Sequence, residues 1–91
     1  MNNPLNYNED KPLYTIGVMS ELVGLHPQTL RLYEKKGIII PHRRNNQRLY
    51  SDRDVERLKL IKKLTEDFGI NLAGVKIILQ LKESKKIELK I

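Results

Sequence analysis

One device occurs four times in this chain. An apolar residue precedes a residue suited to cap a helix, and a second apolar residue follows four positions after that cap. The instances are Tyr14-Thr15 with Met19, Leu25-His26 with Leu30, Tyr50-Ser51 with Val55, and Ile70-Asn71 with Val75. This is hydrophobic-staple spacing, in which the two apolar groups meet across the helix start and fix the angle of entry. Thr15, Ser51 and Asn71 suit the cap because their side-chain oxygens accept first-turn N–H groups that have no partner in the helix. His26 suits it poorly, although Pro27 follows at the first helical position, where its missing N–H is not needed. Ser51-Asp-Arg-Asp54 adds a capping-box pattern with Asp where Glu is usual. Four helix starts in 91 residues leave room for one small, mainly α domain and for little else.

The apolar periodicity sets the helix lengths. A first helix is expected over 16–23, with Ile16, Met19, Leu22 and Val23 inward, ending at Gly24. A second is expected over 27–36, with Leu30 and Tyr33 inward, stopping at Gly37. Two short helices joined by a Gly-containing turn of three residues have helix-turn-helix form. A third is expected over 52–67, inward through Val55, Leu58, Ile61, Leu64 and Phe68, and a fourth over 72–82, inward through Leu72, Val75, Ile78 and Leu79. Between the second and third, Ile38-Ile39-Ile40 favours an extended strand and Arg48-Leu49-Tyr50 a returning one, with Arg44-Asn45-Asn46-Gln47 as the tip. Arginine at the base and tip of such a hairpin is hard to explain by packing. Residues 1–13 read as a flexible leader, 14–82 as the folded domain, and 83–91 as a short tail. In that tail Ile87, Leu89 and Ile91 alternate as an edge strand or a contact with a partner would.

Charge narrows the class of partner. Lys and Arg number 17 and Asp and Glu 11, a net charge of +6, and it is concentrated. Residues 1–25 carry −2, residues 26–50 carry +5 and residues 51–91 carry +3. A clustered basic segment is the footprint of a polyanion binder; a solvated surface is the plainer reading. The absence of cysteine excludes disulfides, thiolate metal sites and thiol nucleophiles, and two histidines, His26 and His42, are too few for a metal cage. No cofactor is expected. Asp52, Asp54 and Glu56 sit where capping and the helix dipole explain them, so no catalytic carboxylate pair is read there and no enzyme is expected. No apolar run approaches the roughly 20 residues that span a bilayer, and Met1–Asn8 lacks the form of a secretory signal. The expectation is a cytoplasmic protein of a reducing compartment with an anionic partner.

Thr15-Ile-Gly-Val-Met19, Thr29-Leu-Arg-Leu-Tyr-Glu34, Gly37-Ile38 and Arg48-Leu-Tyr-Ser-Asp52 together resemble the MerR family of winged-helix transcription regulators, over roughly 14–82 and with every element in order. Within it, His26-Pro-Gln-Thr-Leu-Arg-Leu-Tyr-Glu34 and Gly69-Ile-Asn-Leu-Ala-Gly-Val75 look most like the heat-shock repressor branch. The resemblance implies a winged helix-turn-helix with four helices and a short β-hairpin wing. The second helix would lie in the major groove, the hairpin along the adjacent backbone, and a second wing from the third and fourth helices on phosphates. Carried over by position, Gln28, Thr29, Arg31, Tyr33 and Lys35 fall on the recognition helix, Arg43, Arg44 and Arg48 on the wing, and Lys62 and Lys63 on the second wing. Gln28 is placed to read an adenine edge, or is simply solvated; Arg31 reads guanine or clamps phosphate. Tyr33 is core or a phosphate-bonding hydroxyl.

Two departures from the family stand out. Leu32 replaces the first of two adjacent tyrosines, removing one phosphate donor. The family dimerises through a long C-terminal helix, whereas only Lys82–Ile91 follow the fourth helix here, without a heptad. Either the chain is cut short or dimerisation uses the Ile87, Leu89, Ile91 edge. The expected function is a sequence-specific repressor of heat-shock or chaperone genes, acting as a homodimer on an inverted repeat, with a chaperone as co-repressor. Two alternatives are an excisionase-like DNA-bending factor and a protein-interaction module whose apolar tail holds a chaperone.

Overall fold

The computed structural model describes residues 7–90. Four helices and a three-stranded antiparallel sheet follow in the order β1 (Tyr14–Thr15), α1 (Ile16–Val23), α2 (Pro27–Lys35), β2 (His42–Arg44), β3 (Gln47–Tyr50), α3 (Asp52–Lys62) and α4 (Leu72–Glu83). A π-helical turn, Lys63–Asp67, continues α3. The mainly α winged helix-turn-helix is therefore present, and each expected cap is made. Thr15 accepts from the Val18 N–H, Ser51 and Asp54 form a reciprocal capping box, and Asn71 accepts from the Gly74 N–H. His26 also caps: its Nδ1 accepts from the Gln28 N–H at 3.0 Å, which leaves the ring proton on Nε2.

The core runs through all four helices. Met19 and Val23 from α1, Leu30 and Tyr33 from α2, Leu58, Ile61 and Leu64 from α3 and its extension, and Val75 and Leu79 from α4 are buried around Ile38, Ile39 and Tyr50. Two inward assignments do not hold. Leu22 is 49% exposed, beside the lysines of α3 in a shallow groove, and Phe68 is 54% exposed. Phe68 lies on the inward stripe only if α3 stays α-helical. The wider π turn rotates it off that stripe, and the chain closes instead with Ile70 N–H donating to Leu64 O at 3.0 Å.

The isoleucine run is not a strand. Alternation would point Ile38 and Ile39 to opposite faces, yet both are 1% exposed. They serve the end of α2. Gly37 takes φ 72°, its N–H donates to Glu34 O, and the Ile38 N–H donates to Tyr33 O, which is a Schellman stop with an apolar residue folded back onto the core. Ile40 then projects into solvent at 80% exposure. The outgoing strand is β2, one turn later in the sequence.

The sheet order is β1-β3-β2, with Tyr14 opposite Tyr50 and Thr15 opposite Leu49. Leu13 N–H extends this ladder to Tyr50 O at 2.9 Å. The described part of the expected leader is pinned to the start of α3. Arg53 N–H donates to Glu9 O, the Arg53 guanidinium pairs with Asp10 at 2.6 Å, and the Tyr7 and Tyr14 hydroxyls both donate to the Asp52 carboxylate. At the other end no strand is assigned over the described tail, and Ile91 lies outside the described residues.

Candidate nucleic-acid interface

Local sequence decides which face of α2 meets solvent. Leu30 and Tyr33 turn inward, so Gln28, Arg31, Leu32 and Lys35, spaced i, i+3, i+4 and i+7, form one exposed stripe along the opposite side. Thr29 is half-buried beside it. The Tyr33 ring is 5% exposed, which puts this residue in the core. Leu32, set aside in the sequence as a lost tyrosine, lies in the middle of the stripe at 41% exposure. The i+4 spacing from Gln28 is the signal that finds it, and an apolar group there suits a thymine methyl.

The hairpin is a two-residue type I′ connection. Asn45 and Asn46 take φ of 49° and 65°, the left-handed values that such a turn needs and that asparagine tolerates better than most residues. Arg44 stands exposed at the tip, opposite Gln47. Below it, Arg43 and Arg48 are directly opposite each other across the β2–β3 ladder. The carboxylate of Glu34, in the last turn of α2, joins both. Arg48 Nε donates to one oxygen at 2.5 Å and an Arg43 terminal nitrogen donates to the other at 2.7 Å. The Arg48 hydrogen bond, with Arg43 adding to it, holds the Glu34 carboxyl below the usual carboxylate range despite partial burial. The same bond raises the Arg48 guanidinium further. Glu34, whose role the sequence alone did not single out, thus ties two of the three wing arginines, Arg43 and Arg48, to the helix that carries the exposed stripe.

Lys62 and Lys63 are placed differently. Lys62 Nζ donates to Val23 O and Gly24 O, both at 3.2 Å, so it closes the C-terminus of α1. A Cβ at Gly24 would come within 2.7 Å of that amine, and Gly24 also holds φ 69°. Lys63 is exposed at the start of the π turn. Neither is joined to the α2 stripe by a hydrogen bond or ion pair among the described residues. No trio of His, Asp or Glu capable of holding a metal occurs among those residues, and no helix is long and apolar enough to cross a membrane.

Residues 14–82 match the sequence model of the MerR HTH regulatory family. The chain is 49% identical over 80 residues to the heat shock protein HspR of Streptomyces coelicolor, covering 87% of this chain and 53% of that one. It is 38% identical over 81 residues to the HTH-type transcriptional regulator GlnR of Bacillus anthracis, covering 88% and 62%. To the HTH-type transcriptional regulator TnrA of Bacillus subtilis it is 40% identical over 81 residues, covering 88% and 68%. The chain therefore spans about half the length of the HspR protein and under two thirds of GlnR.

Proposed function

This chain belongs to the MerR family of helix-turn-helix regulatory proteins, and on that basis we propose that it is a sequence-specific DNA-binding repressor. It binds double-stranded DNA at the bacterial nucleoid, as a homodimer on an inverted repeat, and its targets are heat-shock or chaperone genes, with a chaperone as co-repressor. The similarity to HspR supports the choice of targets.

The observation that carries the DNA reading is the stripe of Gln28, Arg31, Leu32 and Lys35 beside an arginine-bearing hairpin. A helix presenting an amide and two cations fits the major groove, where base pairs display distinct donor and acceptor patterns. Gln28, near the N-terminus of α2, reads a base edge, and Arg31 reads guanine or clamps a phosphate. Arg43 and Arg44 take the backbone alongside, where contacts position the protein and carry no sequence. Arg48, held at 26% side-chain exposure by Glu34, orders the wing more than it touches DNA. Lys63 remains a phosphate contact of the second wing, and Lys62 supports α1.

Selection from a random-sequence duplex pool at two salt concentrations tests the reading. The expected product is an inverted repeat whose retention falls steeply with salt, since each neutralised phosphate releases counterions. Retained DNA without a shared sequence would reduce the chain to an architectural binder. No retention at low salt would end the DNA reading.

A further inference from the structure

We propose that Glu34 is a positioning residue: its carboxylate locks the hairpin wing to the recognition helix and so converts general DNA affinity into sequence-selective binding. The inference rests on the DNA reading above and deepens it. Two features make Glu34 anomalous as an ordinary surface residue. It is an anion in the last turn of α2, where the helix dipole disfavours negative charge. It also sits among the cations of a surface meant for a polyanion, where it lowers the attraction to phosphate. What it does locally offsets both. Arg43 and Arg48 are cross-strand partners on one face of the ladder, and two like charges so placed repel. One Glu34 oxygen takes each guanidinium, at 2.5 and 2.7 Å, which cancels that repulsion and ties both strands of the hairpin to α2.

The three groups are not equally engaged. Arg48 keeps 26% of its side-chain exposure and Arg43 keeps 48%. Arg43 therefore retains outward guanidinium N–H groups while one terminal nitrogen stays on Glu34, so it reaches a phosphate already ordered. The distance between that phosphate and the bases under Gln28 and Arg31 is then fixed by the protein rather than by the DNA.

Two measurements on the full chain test this, comparing wild type with Glu34→Gln. Without DNA, amide hydrogen exchange should accelerate in Glu34→Gln over Arg43–Arg48 and stay unchanged in α3 and α4. Equal wing exchange in both proteins overturns the lock, and acceleration throughout the domain makes Glu34 a general stability residue and also overturns it. In parallel, both proteins select from one random-sequence duplex pool. The variant should hold the unselected pool at least as well as wild type, having one negative charge fewer, while enriching the wild-type consensus roughly tenfold less. Undiminished enrichment sinks the proposal. Glu34→Asp, which keeps the charge on a shorter arm, should fall between the two. A wild-type chain that enriches nothing ends the DNA reading and the recognition role together, while the exchange arm still reports whether the wing is tied.

Discussion

Single side chains in this domain often do a different job from the one their charge advertises. Lys62 looks like a phosphate contact, but its amine sits on the last carbonyls of α1, the groups a helix cannot satisfy internally. Lys62→Gln is expected to lower stability by about 0.5–1.5 kcal/mol, the net worth of a hydrogen bond, and to leave the salt dependence of DNA binding unchanged. Chemical denaturation together with binding at several salt concentrations checks both parts. A salt slope smaller by about one unit would return Lys62 to the phosphate-contacting set. His26 is the reverse case. A residue that ranks low as a cap serves as one because Nδ1, like an Asn oxygen, lies two bonds from Cβ and reaches the Gln28 N–H. That contact fixes the first turn of α2, where Gln28 begins the exposed stripe.

At the scale of elements, the hairpin turn is the feature most open to test. Its two asparagines hold left-handed φ values. Asn46→Gly should therefore keep or raise the melting temperature, whereas Asn46→Val, β-branched at positive φ, should destabilise by about 1–3 kcal/mol. Equal melting temperatures for the two variants would show that the turn tolerates other geometries. This tip was legible in the sequence, as were the four helix starts, the caps at Thr15, Ser51 and Asn71, the three-residue turn between α1 and α2 and the arginine-bearing wing. What was not legible depended on long-range competition. Ile38-Ile39-Ile40 has strand propensity, but Gly37 and the core claim the first two residues for a helix stop, and propensity yields. β1 is two residues long and owes its existence to Leu49 and Tyr50 lying opposite, which no local window contains. The π turn breaks the 3.6-residue period that placed Phe68 inside. Glu34 was visible as part of a motif, yet its role required the register that puts Arg43 opposite Arg48.

For the molecule as a whole, proton linkage sets the pH range of stability. Glu34 is held below the usual carboxylate range by Arg48 and Arg43, and Asp52 by the hydroxyls of Tyr14 and Tyr7. A carboxyl with a lowered folded-state pKa adds stability that is complete above its unfolded value and is lost as pH falls through the folded one. Resistance to unfolding should therefore decline below about pH 4.5, the ordinary value for Glu34. The alkaline side runs oppositely. Hydrogen bonding to Asp52 pushes the Tyr7 hydroxyl up to about 12 from 10.0, so its contribution is whole below 10 and fades through about 12. Unfolding midpoints of wild type and Asp52→Asn across both ranges check this: the variant should show the shallower dependence at each end, and parallel curves would contradict it. The sheet carries a last consequence, for synthesis. Tyr14 pairs with Tyr50, and the core closes only when Val75 and Leu79 arrive from α4. A nascent chain that has released only α1 and α2 from the ribosome holds two short helices with neither their sheet nor most of their core. The half that carries α2 emerges first and matures last, so a stalled or truncated translation product ending before α4 should be a substrate for proteolysis rather than a competitor for DNA.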